Sequence, residues 1–193
     1  MNTLVEKSES SFYKIVDFTL IVMGMFMLLF VSSYRIDGDG SWRVYALGKL
    51  LFEGKLVSTP WSMIGLLPSL ILCIIGKFYK SPLWWLVRYN FFLFAFGLFF
   101  IYRILRNYVN NGVLRKFLII LIFGSMFSYH QVEFYGEVFT AVFIGVGILA
   151  ITHGNSWIGW ISIILGVANA PATIIGFGFI VLAMMVKRKE LRY

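Results

Sequence analysis

Four of the nine acidic residues lie at the predicted ends of helices in two polar segments of an otherwise apolar chain, and their carboxylates are the groups best suited to catalysis or ligand binding. Asp37 and Asp39 lie in the first segment, and Glu133 and Glu137 lie in the second. A carboxylate beside apolar helices is costly unless it is hydrated, paired or bound to a ligand, so this clustering favours a site. A second interpretation stays open, in which carboxylates avoid lipid and collect in whatever loops the chain has.

The run Asp37-Gly38-Asp39-Gly40 fits a tight turn better than a calcium loop. Alternating acidic residues and glycines occur in calcium loops, but the other ligands of an EF-hand are missing. The glycines allow a turn that brings a carboxylate to the start of the next helix, where the helix dipole favours its charged form. Asp39 is therefore predicted to be available as a base.

The composition indicates that membrane helices position these carboxylates. The chain is 60% hydrophobic and 13% charged, with a mean hydropathy of +0.83, and a soluble globule could not cover it with polar surface. A bilayer core of about 30 Å needs roughly 20 apolar residues per crossing, so 193 residues allow about six crossings. The net charge of +8 comes from Lys and Arg between the apolar runs, so a membrane explains it and no nucleic acid partner is expected.

The apolar runs predict an all-α integral membrane protein with about six transmembrane helices in a single domain. The predicted crossings are 15–34, 83–105, 113–129, 138–152, 157–169 and 172–186, with polar outer segments at 35–60 and 130–137. Residues 42–53 form an amphipathic interfacial helix, with Tyr45, Leu47 and Phe52 on one arc and Ala46 on the opposite arc. Residues 61–77 are short and contain Pro68, so we expect a second interfacial or half-buried helix.

Basic residues predict the orientation of the bundle. Arg103, Arg106, Arg115 and Lys116 surround one loop, the tail 187–192 is also basic, and the positive-inside rule places both in the cytoplasm. If 61–77 crossed fully, the first of these loops would lie outside in a chain whose N-terminus is inside. We therefore expect a multi-pass protein of the plasma or inner membrane with both termini cytoplasmic and the acidic segments outside.

Two motifs carry a resemblance to a known family. The first is the run Asp39-Gly40-Ser41-Trp42-Arg43-Val44-Tyr45-Ala46 through to Gly54, followed by Pro60 and then Arg88, and the second is Phe134-Tyr135-Gly136-Glu137. This pattern resembles the N-terminal part of the GT-C superfamily, the membrane glycosyltransferases that use polyprenyl-phosphate-linked sugars. They include oligosaccharyltransferases, protein O-mannosyltransferases and aminoarabinose transferases. Such enzymes continue for several more crossings, and many have Asp where this chain has Glu137.

The resemblance implies an inverting glycosyltransferase that acts at the outer membrane face. Asp39 would be the general base and Glu137 the second acidic residue of the site. The phosphate-binding cations would be Arg88, Arg43, Lys49 and Lys55, and Asp37 and Tyr135 would also contact substrate. Glu137, with Glu133, could hold a divalent cation (Mg or Mn), orient the acceptor or cap its helix.

Two other functions stay open on the sequence. A non-catalytic membrane subunit or scaffold fits the short chain, which would then need a partner membrane protein to complete the fold. A small transporter would need polar residues in mid-helix, and the predicted crossings are nearly bare of them. The expected partners are membrane lipid and a polyprenyl-phosphate sugar. Gly145, Gly147, Gly176 and Gly178 are typical of close helix packing or of a groove for a prenyl tail, and the sequence does not separate these uses.

Overall fold

The computed structural model describes residues 11–31, 38–58, 62–130, 134–154 and 156–190, and within these ranges the chain is all helical, as predicted. Helices are separated by short turns, several of which carry a helix-capping side chain. The elements are α1 (Ser11–Val31), α2 (Asp39–Glu53), the 3₁₀ helix η1 (Ile64–Leu66), α3 (Ser69–Phe78), α4 (Pro82–Val87), α5 (Tyr89–Leu105), α6 (Asn111–Phe123), α7 (Phe127–His130), α8 (Glu137–Thr152), α9 (Ser156–Asn169) and α10 (Thr173–Glu190).

The predicted interfacial helix begins three residues earlier than expected, at Asp39, and ends at Glu53, with Gly54 as its C-cap residue. Gly54 adopts a left-handed φ of +65°, and its N–H donates to the Leu50 carbonyl, which closes the last turn of α2. Ala46 and Leu47 are both buried, whereas Tyr45 and Phe52 are exposed, so two large apolar side chains of the predicted arc lie on the outer surface of the bundle. The arcs of this helix stay a prediction.

Three other predicted helices are divided in the structure. In the 61–77 segment, η1 and α3 are separated at Pro68, which is the N-cap residue of α3. The predicted crossing at 83–105 is interrupted at Arg88, whose φ of −94° and ψ of 1° separate α4 from α5. The third predicted crossing, 113–129, is α6 followed by the short α7, with a break at Gly124.

The helices α1 and α6 run in parallel. Asp17 near the start of α1 forms an ion pair with Arg115 near the start of α6, with 3.1 Å between Oδ2 and Nε. Further along, Gly24 of α1 lies against Ile122 and Phe123, where a Cβ atom would come within 2.6 Å of either side chain. This close approach is possible because residue 24 has no side chain.

A second group of helices is built around α8. α5 runs parallel to α8, since Tyr89 contacts Phe134 at one end and the Tyr108 hydroxyl donates to the His153 carbonyl at the other. α9 returns antiparallel to α8, and α10 packs only loosely against the other described helices. These contacts bring α2, η1, the start of α5, the start of α8 and the end of α9 to one end of the bundle.

Two helical stretches are long and apolar enough to cross a membrane, Ser11–Phe30 with 20 residues and Pro82–Leu105 with 24. The other apolar helices in the described ranges have 10–17 residues: Ile64–Phe78, Glu137–Thr152, Ser156–Asn169 and Thr173–Ala183. Length and composition therefore support two of the six predicted crossings, and the number of crossings stays a prediction.

Candidate functional site

Arg43 of α2 and Glu137 of α8 form an ion pair at the end of the bundle where α2 lies. Two contacts join them, 3.3 Å between Nη1 and Oε2 and 3.4 Å between Nη2 and Oε1. The Arg43 side chain is 3% exposed, whereas that of Glu137 is 63% exposed. The pair therefore consists of a buried cation and a carboxylate that is open to a ligand.

Arg43 is buried because it lies on the inner face of α2, one turn before the fully buried Leu47. Its Nη1 also donates to the Phe134 carbonyl at 3.4 Å, and its guanidinium lies over the Tyr135 ring at 5.6 Å from the centroid. The segment that leads into α8 thus supplies a carbonyl, a ring and a carboxylate to one arginine. Buried arginines need such partners, since an uncompensated charge is costly.

The charge of Glu137 is stabilised by its surroundings. Partial burial alone would raise the pKa of this carboxyl, but three favourable interactions outweigh it. The Arg43 guanidinium donates hydrogen bonds to the carboxylate, the backbone N–H of Glu137 does the same, and the charges of Arg43 and His130 attract it. The pKa of Glu137 therefore lies below its usual value of 4.5, and the carboxylate is ionised at neutral pH.

Asn169, the last residue of α9, joins three elements directly beneath the ion pair. Its Oδ1 accepts from the Gly65 N–H at 2.8 Å, and its Nδ2 donates to the Gly136 carbonyl and to the Thr140 hydroxyl, both at 2.9 Å. Asn169 is 8% exposed, so these bonds are shielded from water. They fix the backbone immediately before Glu137 relative to η1 and α9.

Asn90 and Tyr89, at the start of α5, hold the other side of this segment. Asn90 is 1% exposed, and its Nδ2 donates to the Tyr135 carbonyl at 3.0 Å and to the His130 carbonyl at 3.4 Å. The Tyr89 hydroxyl donates to the Gly65 carbonyl. Two buried asparagines from different helices therefore position the residues around Glu137.

The ion pair lies at the mouth of a cavity of about 800 Å³. The mouth is polar, with Arg43, Glu137 and Asn169, and the cavity continues between α8 and α10 along Ile144, Gly176 and Phe177. Most of its wall is apolar. Such a shape fits an amphiphile with a charged head and a hydrocarbon tail.

The other three predicted substrate-binding cations have described partners other than Glu137. Lys49 and Lys55 both pair with Glu53 at the far end of α2, and neither lines the large cavity. Arg88 is 3% exposed, its Nη1 donates to the Trp84 carbonyl at 2.9 Å, and its guanidinium lies 3.9 Å from the centroid of the Trp84 ring. Of the four predicted cations, the described contacts bring Arg43 to Glu137.

Several predicted site residues lie outside the described part of the chain. Asp37 and Glu133 fall in undescribed segments, as does Pro60, and Asp39 is described as the first residue of α2 but not in its side chain. The described residues contain no group of three or more His, Cys, Asp or Glu that could hold a metal. Glu137 is the described carboxylate at the site and already contacts Arg43, so a Mg²⁺ or Mn²⁺ ion, which needs several oxygen ligands, does not fit the described residues. The divalent cation stays a prediction.

Sequence reasoning did not identify Asn90, Asn169, Tyr89 and Thr140 as parts of the site. A signal for the two asparagines was present, because each follows an apolar run in which an unpaired amide would be costly. Their partners could not be identified from the sequence, since Asn90 and Tyr135 are 45 positions apart and Asn169 and Gly65 are 104 apart.

Comparison with known proteins identifies no relative. No family model matches the chain, and no curated protein or solved structure is significantly similar to it.

Proposed function

We propose that this protein is a multi-pass membrane glycosyltransferase, similar to the GT-C superfamily, that transfers a sugar from a polyprenyl phosphate to an acceptor at the outer membrane face. The single observation that carries the proposal is the cavity between α8 and α10, which has the Arg43–Glu137 pair at its mouth and an apolar interior. A polyprenyl phosphate has the same division into an anionic head and a long hydrocarbon tail.

A membrane location is supported by the surface of the helices as well as by composition. Large apolar side chains are exposed along α1, including Phe18 at 66% and Phe26 at 57%, and along α10, including Ile175 at 66% and Phe179 at 69%. Soluble monomers rarely expose apolar patches of this extent, and lipid would cover them.

In this proposal Arg43 binds the phosphate of the donor, since it is the buried cation at the cavity mouth. Its contacts with Glu137 are long for a charge-assisted hydrogen bond, so the guanidinium can turn toward a phosphate oxygen. Glu137, which is exposed, orients the acceptor or the sugar hydroxyls. Tyr135 limits the movement of the guanidinium from one side.

Asp39 acts as general base at the start of α2, one turn from Arg43. The acceptor hydroxyl loses its proton to Asp39 as its oxygen attacks the anomeric carbon. The bond from that carbon to the phosphate oxygen breaks, and the electron pair leaves with the polyprenyl phosphate. Attack on the face opposite the phosphate inverts the anomeric configuration.

Asp39→Asn tests this assignment in purified full-length protein, with glucosyl- and mannosyl-phosphoryl undecaprenol, labelled in the sugar, as donors. General-base catalysis is typically worth about 10²- to 10⁴-fold, so transfer should fall by that factor while the Tm is unchanged. Glu53→Gln, on the same helix but paired with Lys49, is the matched control and should transfer at the wild-type rate. Wild-type transfer by Asp39→Asn would remove Asp39 as the base.

A non-catalytic membrane subunit is the second candidate, and the loose packing of α10 favours it. A helix with exposed apolar side chains and few internal contacts can pack against another membrane protein. Purification in mild detergent distinguishes the two functions. A second chain at fixed stoichiometry, with no polyprenyl phosphate bound, indicates the subunit, whereas polyprenyl phosphate on the isolated chain indicates the enzyme.

A further inference from the structure

A second, smaller cavity of about 290 Å³ lies between α2, α3 and α4. Its wall is almost entirely apolar and includes Leu47 and Phe52 of α2, Cys73 of α3 and Leu86 of α4. Gly48 also faces it, and a Cβ atom at this position would meet nothing within 4 Å. The cavity therefore has room for part of a hydrocarbon chain.

Lysines surround this cavity. Lys77 lies one turn beyond Cys73 on α3, and its Nζ is 5.0 Å from the centroid of the Phe52 ring, which is part of the cavity wall. Lys80 directly precedes Ser81, another wall residue, and its Nζ is 5.7 Å from the centroid of the Tyr79 ring. Both lysines thus lie at the rim of the cavity and form cation–π contacts with aromatic rings.

The charged side chains around the smaller cavity, a region called the corner below, are mostly positive. Lys49 and Lys55 share the single carboxylate of Glu53. Within the described ranges, neither Lys77 nor Lys80 forms an ion pair with a carboxylate. Four lysines and one glutamate therefore give the corner an excess of positive charge. An anionic ligand would balance the charge of Lys77 and Lys80.

The backbone conformation of Lys80 and the exposed aromatic rings beside it also support a binding site here. Lys80 adopts a φ of +64°, the only positive φ of a non-glycine residue in the described chain, and a glycine would adopt it with less strain. Phe78 is 88% exposed and Tyr79 is 60% exposed beside it. Exposed aromatic rings flanked by lysines are typical of a surface at the level of lipid headgroups.

We propose that this corner binds an anionic phospholipid, with the phosphate between Lys77 and Lys80 and part of one acyl chain in the cavity under Gly48. The phosphate accounts for the unpaired lysines, and the acyl chain accounts for the apolar cavity that they surround. Free phosphate would leave that cavity empty. The site uses the end of α2 away from Arg43 and does not depend on glycosyl transfer.

Binding can be measured on the full-length protein in a neutral detergent, as the change in Tm with added lipid. Dioleoyl phosphatidylglycerol should raise the Tm by about 5 °C at saturation. Dioleoyl phosphatidylcholine, which has the same chains, and inorganic phosphate, which has none, should each leave the Tm unchanged. Equal stabilisation by the two lipids, or by phosphate alone, would overturn the proposal.

Two variants test the two halves of the site. The double variant Lys77→Gln/Lys80→Gln should weaken phosphatidylglycerol binding about 30-fold, since each lysine near an anionic surface contributes about a factor of five. Gly48→Leu should fill the cavity and also weaken binding, with the lysines in place. Wild-type affinity in either variant, checked for folding by its helical circular dichroism, would contradict the proposal.

Two controls match these changes elsewhere in the molecule. Arg103→Gln/Arg106→Gln removes two exposed charges at the opposite end of the bundle, and Gly178→Leu adds the same side chain at an open glycine of α10 that lines neither cavity. Both should bind phosphatidylglycerol as the wild type does. If the Arg103/Arg106 variant loses as much affinity as the lysine variant, lipid binding follows total charge and the site is wrong. Because the readout is phospholipid binding, a failure here leaves the role of Asp39 unaffected.

Discussion

The two sides of α8 use glycine in opposite ways. Toward α9, Gly147 is so closely packed that a Cβ atom would lie 2.6 Å from Ile163 Cγ1 and 2.9 Å from the Gly159 carbonyl oxygen. Toward α10, Gly145 faces the large cavity, and a Cβ atom would meet nothing within 4 Å. Gly176, across the cavity on α10, is equally open.

This difference between packed and open glycines distinguishes the side of α8 that packs against a helix from the side that can bind a ligand. A glycine in contact with a backbone brings two helices together, and a larger residue there must push them apart. A glycine that faces empty space contributes nothing to packing, so its value lies in the room that it leaves. The open side of α8 is therefore the side on which a ligand is expected, and the closed side is the scaffold that supports it.

The largest effect is expected from a side chain on the closed side. Gly147→Val should force α8 and α9 apart and cost about 3 kcal/mol of stability, the upper range for overpacking, because one of the atoms it meets is backbone. The measurement is the free energy of unfolding in detergent, relative to wild type. Gly145→Val adds the same side chain two residues away and should change stability by less than about 0.5 kcal/mol. Equal losses in the two variants would remove the distinction between the two sides.

The second effect concerns Asn169, which joins the closed side to the cavity mouth. Asn169→Leu leaves the Gly65 N–H, the Gly136 carbonyl and the Thr140 hydroxyl without their partner, and each buried unpaired group is costly. We expect a loss of about 2 kcal/mol and faster hydrogen exchange at Gly65. Asn107→Leu, an exposed asparagine at the other end of the bundle, is the control. Unchanged exchange at Gly65 would show that Asn169 does not hold η1.

How far the sequence predicts this arrangement depends on the range of the interactions. Local patterns predicted the helices, and they also predicted that Arg43, Tyr135 and Glu137 lie near one membrane face. They did not predict that Arg43 and Glu137 pair, because 94 positions separate them and the register of α2 on α8 depends on packing. They also could not separate Gly145 from Gly147, since the role of a glycine depends on which neighbour lies opposite it. The break at Arg88 was hidden by the continuous apolar run around it.

A third effect is expected when the open side is filled. Gly145→Leu and Gly176→Leu should each reduce the affinity for undecaprenyl phosphate about tenfold, which corresponds to about 1.4 kcal/mol, with little change in stability. Native mass spectrometry of the detergent-solubilised protein can measure the bound fraction. Gly178→Leu is the control, since Gly178 is open but is not on the cavity wall. A loss in Gly178→Leu as large as in Gly176→Leu would indicate that any bulk on α10 reduces binding.

The smallest effect is the pH dependence of the ion pair. The folded pKa of Glu137 is lowered, so its contribution to stability is complete above its usual value of 4.5 and is lost as the pH falls through the lower, folded value. Because the carboxylate is largely exposed, we expect a change in Tm of about 2 °C between pH 6 and pH 3. In Glu137→Gln, the decrease in Tm between pH 6 and pH 3 should be smaller by about this amount. The same acid dependence in wild type and Glu137→Gln would show that the pair does not stabilise the fold.

The most direct test of the proposed function is photo-crosslinking with a polyprenyl phosphate that carries a diazirine in its second isoprene unit. The cavity between α8 and α10 predicts labelled peptides that contain Ile144 and Phe177, with labelling reduced by unmodified undecaprenyl phosphate and by Gly145→Leu. Labelling spread over the exposed face of α1, with no competition and no effect of Gly145→Leu, would contradict the assignment of this cavity to a polyprenyl phosphate.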